Sequence, residues 1–305
     1  MTEVQEVKHF LDLAEFDKDI LTKILISGVQ SKLGEADLSS TLTGKTVLMM
    51  FEKPSTRTRV SLETAVKQMG GQTVVLNPAD SQLGRGESVA DTARVLSRYV
   101  DAIALRTHDH DKILELAKFS SVPVVNLLSN WSHPTQLIAD LITLYERFGD
   151  LSSLKVAWSG DGNNVLHSWM HAAAKFGFEL QIACPEERMP DVAAVSWVRE
   201  KGANVSITND STAAVAGADA VVTDVWISMG DEQQGGALQK MLQPYRVDEN
   251  LMSKAKPTAI FMHCLPAKRG QEVTDAVLDG QQSAAWDEAE NRLHANKGIL
   301  AWCLS

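Results

Sequence analysis

Short apolar runs alternate with longer segments of helical periodicity along the first half of the chain. Four of the runs have the length and composition of strands, 46–50, 72–76, 102–105 and 122–127, and the first and third are expected to be buried. Other segments place apolar residues three and four positions apart, as helices do: 8–33, 60–69, 89–99 and 111–119. Strands that alternate with helices predict a parallel sheet with helices on both faces.

The second half repeats this alternation. Its predicted strands are 155–158, 180–184, 220–224 and 259–262, and its predicted helices are 134–148, 167–176 and 191–201. We therefore predict an α/β protein of two doubly wound parallel-sheet domains joined by long interdomain helices. The expected domains are 1–133 and 134–288, and a C-terminal helix in 289–305 is expected to pack back on the first domain. A cleft between two such domains is a usual place for a small ligand.

The turn between the first strand and the next helix carries an unusual number of hydroxyl and cationic groups. It reads Phe-Glu-Lys-Pro-Ser-Thr-Arg-Thr-Arg at 51–59, and Ser55 or Thr56 is a natural helix cap. A helix N-terminus offers free N–H groups and positive potential, and arginine matches phosphate oxygens in pairs. The turn lacks the glycine and lysine pattern of a nucleoside-triphosphate P-loop. We interpret it as a phosphate cradle, and the alternative is an ordinary capped helix with surface arginines.

Composition limits what the protein is expected to bind. The formal net charge of −10 over 305 residues disfavours broad nucleic-acid binding, so an anionic ligand needs a local positive cluster. No apolar run approaches the roughly 20 residues of a membrane span, and the acidic N-terminus does not resemble a signal peptide. The three cysteines lack disulfide-like or zinc-like spacing, which favours a reducing cytoplasm and no metal site.

Further polar residues follow the predicted strands of the first half. Arg106 comes directly after 102–105, and His133 and Gln136 lie one turn apart at the start of the helix 134–148. Because the carboxyl ends of parallel strands meet at one edge of a sheet, we expect these side chains to converge with the cradle. A capped helix with a solvated histidine is the alternative for His133.

In the second half, Asn164 ends a glycine-containing turn, and Asp224 follows a strand. The turn resembles a fragment of a dinucleotide site, but Val165 stands where the third glycine belongs, which disfavours nucleotide binding. Asp224 is either a carboxylate for an amine ligand or an aspartate that caps a helix or lies in a loop.

Two more sites come late in the chain. Cys264 lies beside His263 after a strand, although neighbours on an extended segment point apart, so a direct thiol–imidazole pair is not expected. Arg292 is placed ahead of the C-terminal helix, either as a cleft residue or as part of a surface charge cluster.

Taken in order, these motifs resemble the aspartate/ornithine transcarbamylase (carbamoyltransferase) family. The turn at 55–59 and the His-Pro-Thr-Gln at 133–136 are shared across the family. The Asp-Val-Trp-Ile-Ser-Met-Gly at 224–230 and the His-Cys-Leu-Pro at 263–266 are similar to its ornithine branch. The resemblance runs from about residue 8 to the C-terminus.

The resemblance implies transfer of a carbamoyl group from carbamoyl phosphate to L-ornithine, with L-citrulline and phosphate as products. It implies that the first domain is the carbamoyl phosphate-binding domain, and that the contacts to carbamoyl phosphate from the whole chain are Ser55, Thr56, Arg57, Thr58, Gln82, Arg106, His133, Gln136, Cys264, Leu265 and Arg292. It implies that the second binds ornithine through Asn164, Asp224, Ser228 and Met229. The catalytic residues it implies are Arg57, Arg106, His133 and Cys264. No cofactor or metal is expected, because phosphate leaves readily and arginine supplies positive charge.

Relatives are trimers or assemblies of trimers with shared active sites, and Gln82 lies in a loop that reaches a neighbouring subunit there. We therefore expect a cytoplasmic homotrimer, or an assembly of trimers, that acts in arginine biosynthesis, although the sequence leaves arginine breakdown open. Asn130 departs from the aspartate common in the ornithine branch. The acceptor therefore stays open to another amine, such as putrescine or an N-acylornithine. A non-catalytic anion-binding protein is a further alternative.

Overall fold

The computed structural model describes residues 7–53, 55–77, 86–227 and 235–305. The chain divides into two compact units. The first unit comprises Met1–Ile142 and Asn291–Ser305, and the second comprises Thr143–Glu290. Each unit is built on its own sheet.

The first unit contains a four-stranded sheet in the order β2-β1-β3-β4, in which all pairs are parallel. Its strands are β1 (Thr46–Phe51), β2 (Gln72–Leu76), β3 (Ala102–Arg106) and β4 (Val124–Leu128). Its helices are α1 (Lys18–Leu33), α2 (Thr56–Gln68), α3 (Val89–Leu96) and α4 (His110–Phe119). The chain runs outward from β1 to β2 and then crosses back to β3, so β1 and β3 flank the switch point.

Two helices carry the chain between the units: α5 (Pro134–Phe148) and α12 (Ala285–Cys303). The second unit has the sheet order β7-β6-β5-β8-β9, again with parallel pairs throughout. Its strands are β5 (Lys155–Ser159), β6 (Glu179–Ala183), β7 (Val205–Thr208), β8 (Ala220–Thr223) and β9 (Ile260–His263). Its other helices are α6 (Asn164–Phe176), α7 (Val192–Glu200), α8 (Ser211–Val215), α9 (Gly235–Leu242), α10 (Glu249–Met252) and α11 (Asp275–Leu278). Here β5 and β8 flank the switch point.

The predicted fold class is confirmed, and the differences are missed elements, including the helices α8–α11, and shifted element ends. The sequence pattern missed β7, a short edge strand whose residues are only partly buried, so its apolar signal is weak. The pattern also extended the first helix to residue 8. Asp12 instead caps a short 3₁₀ turn, Leu13–Glu15, and α1 begins at Lys18.

Burial explains why the central strands were the clearest signal. Every residue of β3 is buried, and β1 is buried from its second residue onward. Strands covered on both faces give unbroken apolar runs rather than alternation. Within the described ranges, no helix combines the length and the apolar content that a membrane crossing needs.

Two glycines let α1 and α12 cross closely in the first unit. A Cβ built on Gly298 would overlap the carbonyl oxygen of Ile24, and one on Gly28 would lie 2.8 Å from the carbonyl oxygen of His294. Both neighbours are backbone atoms, which cannot swing aside as the end of a side chain can. The crossing therefore requires that neither position carries a side chain.

We predict that Gly298→Ala lowers the free energy of unfolding by about 1–3 kcal/mol, the usual cost of overpacking. The added methyl group forces the helices apart, and this cost exceeds the gain of up to about 1 kcal/mol in helix propensity. Urea unfolding measures the change. Gly236→Ala on α9 is the matched control, because a Cβ there meets nothing within 4 Å. Equal stability of the two variants would contradict the close crossing.

Candidate active site

Pairing between β1 and β3 brings the cradle to Arg106. Phe51 is in register with Arg106, and the Glu52 N–H donates to the Arg106 carbonyl at 2.9 Å. The two strands therefore deliver the turn at 52–58 and the Arg106 side chain to one point at the switch of the sheet. This is the edge where open parallel sheets bind their ligands.

The first turn of α2 faces this arginine. Ser55 occupies the N-cap position, but its hydroxyl makes no capping bond and instead accepts from Arg106 Nη1 at 3.1 Å. The first N–H groups of α2 are thus left without a side-chain cap from Ser55. Uncapped N–H groups at a helix N-terminus suit an anionic ligand.

A third part of the chain reaches the same turn. The buried Thr58 hydroxyl accepts from Arg106 Nη1 at 3.3 Å and from Arg292 Nη2 at 2.8 Å. The expectation that Arg292 precedes the C-terminal helix is wrong, since Arg292 lies inside α12, which begins at Ala285. Asp287 and Glu288 occupy the first turn of that helix, where acidic side chains are favoured.

Arg57 adds an unsatisfied donor next to the cluster. Its side chain is half-buried, and its buried Nε has no hydrogen-bond partner among the residues that the structure describes. Thr56, the first residue of α2, is exposed. A buried donor without a partner costs free energy unless a ligand satisfies it.

His133 lies in a buried position close to the two arginines. Burial, reinforced by the positive charges of Arg292 and Arg106, lowers the pKa of His133 well below its usual 6.5. The imidazole is therefore neutral at physiological pH, which leaves a ring N–H as a hydrogen-bond donor. Gln136 is buried one turn further along α5, and its Nε2 donates to Asp140 at 2.8 Å.

In the second unit, three strands deliver a second polar cluster. Asp224 follows β8 and accepts from Asn163 Nδ2 at 2.8 Å through Oδ2. Its Oδ1 accepts from the Cys264 thiol at 3.1 Å and from the Val225 N–H at 2.7 Å. The carboxylate is thereby fixed in orientation at the switch point of this sheet.

Asn163 also explains why α6 starts earlier than predicted. Its Oδ1 accepts from the N–H groups of Val165 and Leu166, so the helix begins at Asn164 rather than at residue 167. Asn164 is the first residue of that helix and is partly buried. Sequence reasoning singled out Asn164 and missed the contact of Asn163 with Asp224.

An ion pair anchors the turn ahead of α6. The buried Asp161 carboxylate accepts from Arg188 Nε at 2.6 Å and from Nη2 at 2.8 Å. A Cβ on Gly162 would overlap the main chain of 188–190, so only glycine fits between the two segments. The turn that resembles a fragment of a dinucleotide site is therefore covered by residues 188–190 of the same chain.

Cys264 and Leu265 follow β9. As expected, Cys264 does not pair with His263, since the thiol donates to Asp224 while the imidazole contacts Glu272. Leu265 has φ of 57°, a left-handed conformation that costs a residue with a side chain about 1–2 kcal/mol.

The same cluster is the group of residues best placed for a metal ion within the described part of the chain. Ligand atoms of Asp224, His263 and Cys264 lie within 4.8 Å of one another. Both ring nitrogens of His263 are engaged, Nδ1 by the Leu265 N–H and Nε2 by Glu272. Metal binding there would have to break these contacts, so the residues fit a hydrogen-bonded network better than a metal centre.

Three expected contacts, Gln82, Ser228 and Met229, lie outside the described residues.

Two models of one protein family match most of the chain. Residues 8–146 match the family described as "Aspartate/ornithine carbamoyltransferase, carbamoyl-P binding domain". Residues 152–303 match the "Asp/Orn binding domain" of the same family. The chain belongs to the aspartate/ornithine carbamoyltransferase family. The cradle thus lies in the part of this family member that matches the carbamoyl-phosphate domain.

The relatives are similar over nearly their whole length. The chain is 53% identical over 303 residues to an ornithine carbamoyltransferase of Rhodopseudomonas palustris, covering 97% of each protein. It is 54% identical over 298 residues to one of Bradyrhizobium diazoefficiens, again covering 97% of each. The solved structure of ornithine carbamoyltransferase from Pyrococcus furiosus matches with a TM-score of 0.91 and 46% identity, covering 96% of each chain.

We predict that His133 makes the protein less stable in acid. Its pKa is lower when folded than the 6.5 of the unfolded chain, so the unfolded state binds the proton first as the pH falls. Stability present above pH 6.5 is therefore lost below it, at up to about 1.4 kcal/mol per pH unit, until the folded pKa is reached.

Chemical denaturation from pH 7 to pH 5 measures this slope, and His133→Asn should make it shallower. His108→Asn, which removes an exposed imidazole from the same unit, is the matched control. Identical slopes in the wild type and His133→Asn would contradict the lowered pKa.

Proposed function

We propose that this protein transfers the carbamoyl group of carbamoyl phosphate to the side-chain amine of L-ornithine, giving L-citrulline and phosphate. The observation that carries the proposal is the convergence of Arg106 and Arg292 on the Thr58 hydroxyl, beside the N-terminus of α2. Close similarity to named ornithine carbamoyltransferases supports the choice of reaction.

The cradle suits the leaving group. Negative charge builds on phosphate as it departs, and the uncapped start of α2 can stabilise that charge together with Arg57. Ser55, Thr56 and Thr58 add hydroxyl groups around the same turn. The buried Nε of Arg57 would gain the hydrogen-bond partner that the described residues do not provide.

The carbamoyl carbon passes through a tetrahedral intermediate with negative charge on its former carbonyl oxygen. Thr58, Arg106 and His133 are the proposed donors to that oxygen, and a single donor of this kind is typically worth about 3 kcal/mol. A neutral His133 can donate its N–H. We assign Gln136, Gln82, Cys264, Leu265 and Arg292 as further contacts to carbamoyl phosphate.

The acceptor amine must lose a proton before it attacks. A lysine-like amine has a pKa near 10.4, so only about one molecule in a thousand is neutral at pH 7. We propose that Asp224 binds the α-ammonium group of ornithine, with Asn164, Ser228 and Met229 as the other contacts. The side-chain amine is then the one free to deprotonate and react.

We predict that carbamoyl phosphate turns over with ornithine and yields citrulline, whereas N-acetylornithine, putrescine and aspartate give little product. Arg57→Ala should abolish the reaction, because the phosphate loses a charged donor. A colorimetric citrulline assay measures both effects. The rate with ornithine should rise from pH 6 toward pH 9 as the amine deprotonates.

The control is Arg59→Ala, which removes an exposed arginine from the same helix and should retain activity. Turnover with another amine alone would overturn the acceptor assignment and leave the cradle in place. Binding of carbamoyl phosphate without turnover of any amine would favour a non-catalytic anion-binding protein.

We also propose a homotrimer, or an assembly of trimers, with shared active sites in the cytoplasm, acting in arginine biosynthesis. The first unit exposes apolar side chains that an interface between copies would cover, among them Val60 and Tyr99 at 59% and 73% exposure. No disulfide joins Cys184, Cys264 or Cys303, which is consistent with a reducing compartment. Restored growth of an arginine auxotroph that lacks its own ornithine carbamoyltransferase would test the biosynthetic role.

Sedimentation equilibrium should give the mass of three 33.3 kDa chains or a multiple of it. Tyr99→Asp should lower that mass if Tyr99 is covered in the assembly, because a buried carboxylate opposes association. A monomeric wild type with full activity would contradict shared active sites.

A further inference from the structure

Two fully buried residues outside the proposed substrate contacts hold the loop that follows β9. His263 and Glu272 are both 0% exposed. His263 Nε2 lies 3.3 Å from Glu272 Oε1, although the residues are nine positions apart in the chain. Burying a carboxylate and an imidazole costs free energy unless both groups are hydrogen-bonded. The role of this buried pair therefore needs an explanation.

The hydrogen bonds define the tautomer of the imidazole. The Leu265 N–H donates to His263 Nδ1 at 2.9 Å, so Nδ1 is an acceptor and the ring proton lies on Nε2. Nε2 then donates to Glu272 Oε1. The same oxygen accepts from the Lys268 N–H. The pair thus fixes two backbone groups of the loop 264–268, one near each end.

The loop needs this restraint. Leu265 has φ of 57°, which a side-chain-bearing residue adopts only where its surroundings hold it. Cys264 lies next to Leu265, and its thiol donates to Asp224 Oδ1 at 3.1 Å. If the loop relaxed, Leu265 would turn, and Cys264 would move away from Asp224.

We propose that His263 and Glu272 are positioning residues for carbamoyl transfer, which hold the backbone of 264–268 so that Leu265 keeps its conformation and Cys264 keeps its place beside Asp224. The kinetic consequence rests on the function proposed above, whereas the geometric part stands without it. Neither side chain is a proposed substrate contact, and both act through the loop.

Two substitutions at position 272 distinguish the effect of side-chain length from the effect of the carboxylate charge. Glu272→Gln keeps Oε1 at the same distance and removes the charge, and its amide nitrogen replaces Oε2, which has no hydrogen-bond partner among the described residues. Glu272→Asp keeps the charge but withdraws the acceptor by one methylene group. If the pair positions the loop, shortening the side chain impairs the enzyme and removing its charge does not.

The test measures kcat, KM and the labelling rate of Cys264 by a disulfide reagent such as DTNB. Cys184 and Cys303 are 1% and 5% exposed, and burial raises the pKa of both thiols, to about 12 for Cys184, so labelling reports the half-buried Cys264. We expect Glu272→Asp to lower kcat by about 10–100-fold, as small displacements in a reacting site do, and to accelerate labelling. Glu272→Gln should stay close to the wild type in both measurements.

Val198→Ala is the control for lost stability alone. Val198 is buried on α7, which lies between β6 and β7 in the chain, and β7 is the edge of the sheet opposite β9. This variant should unfold at a lower temperature while its kcat and labelling rate stay unchanged. If Glu272→Asp does not fold, His263→Asn takes its place, because its amide oxygen can accept from Leu265 but cannot reach Glu272.

Any result in which Glu272→Asp is no more impaired than Glu272→Gln overturns the proposal. Loss of activity in Glu272→Asp without faster labelling also overturns it, because the loop has then not moved. If the wild type makes no citrulline, the proposed function fails, and the labelling rates still decide whether the pair holds the loop.

Discussion

Parallel pairing between the central strands is the constraint on which both polar clusters depend. In the first sheet β1 and β3 are neighbours and the chain leaves them in different directions, and in the second sheet β5 and β8 do the same. Chain segments that leave such strands emerge side by side, with room between them that no connecting helix fills. Thr58, after β1, can therefore meet Arg106 at the end of β3, which lies 48 residues further along the chain. Asp224, after β8, meets Asn163, after β5, across 61 residues for the same reason.

The sequence predicts those features of the structure that local chemistry determines. Strands such as β3 are unbroken apolar runs, α5 opens with proline, and the turn at 52–58 displays its hydroxyls and arginines in one short stretch. Each of these features can be predicted because residues close together in the chain determine it. The parallel topology then follows from the alternation, and with it the expectation that residues after different strands converge.

The sequence does not specify which side chains distant in the chain contact each other in the fold. Asn163 reads as a turn residue, and nothing local indicates that its amide reaches Asp224. Glu272 reads as one acid in a polar loop, yet it is fully buried against His263. Such pairings depend on distances in three dimensions that periodicity does not encode.

The shared use of Thr58 by two arginines has a consequence for the kind of group that this corner of the fold accepts. A hydroxyl can accept two hydrogen bonds and give one. Arg106 and Arg292 take both acceptor positions, so any further bond from Thr58 must be given through its hydrogen. The Thr58 hydroxyl, which on its own could donate or accept, can therefore only donate to a further group. Phosphate and carbonyl oxygens satisfy that polarity, whereas an ammonium group, which has only hydrogens to offer, does not. Hydrogen-bond direction therefore opposes cations at Thr58, as the positive charge of the two arginines also does, although the chain as a whole has a net charge of −10.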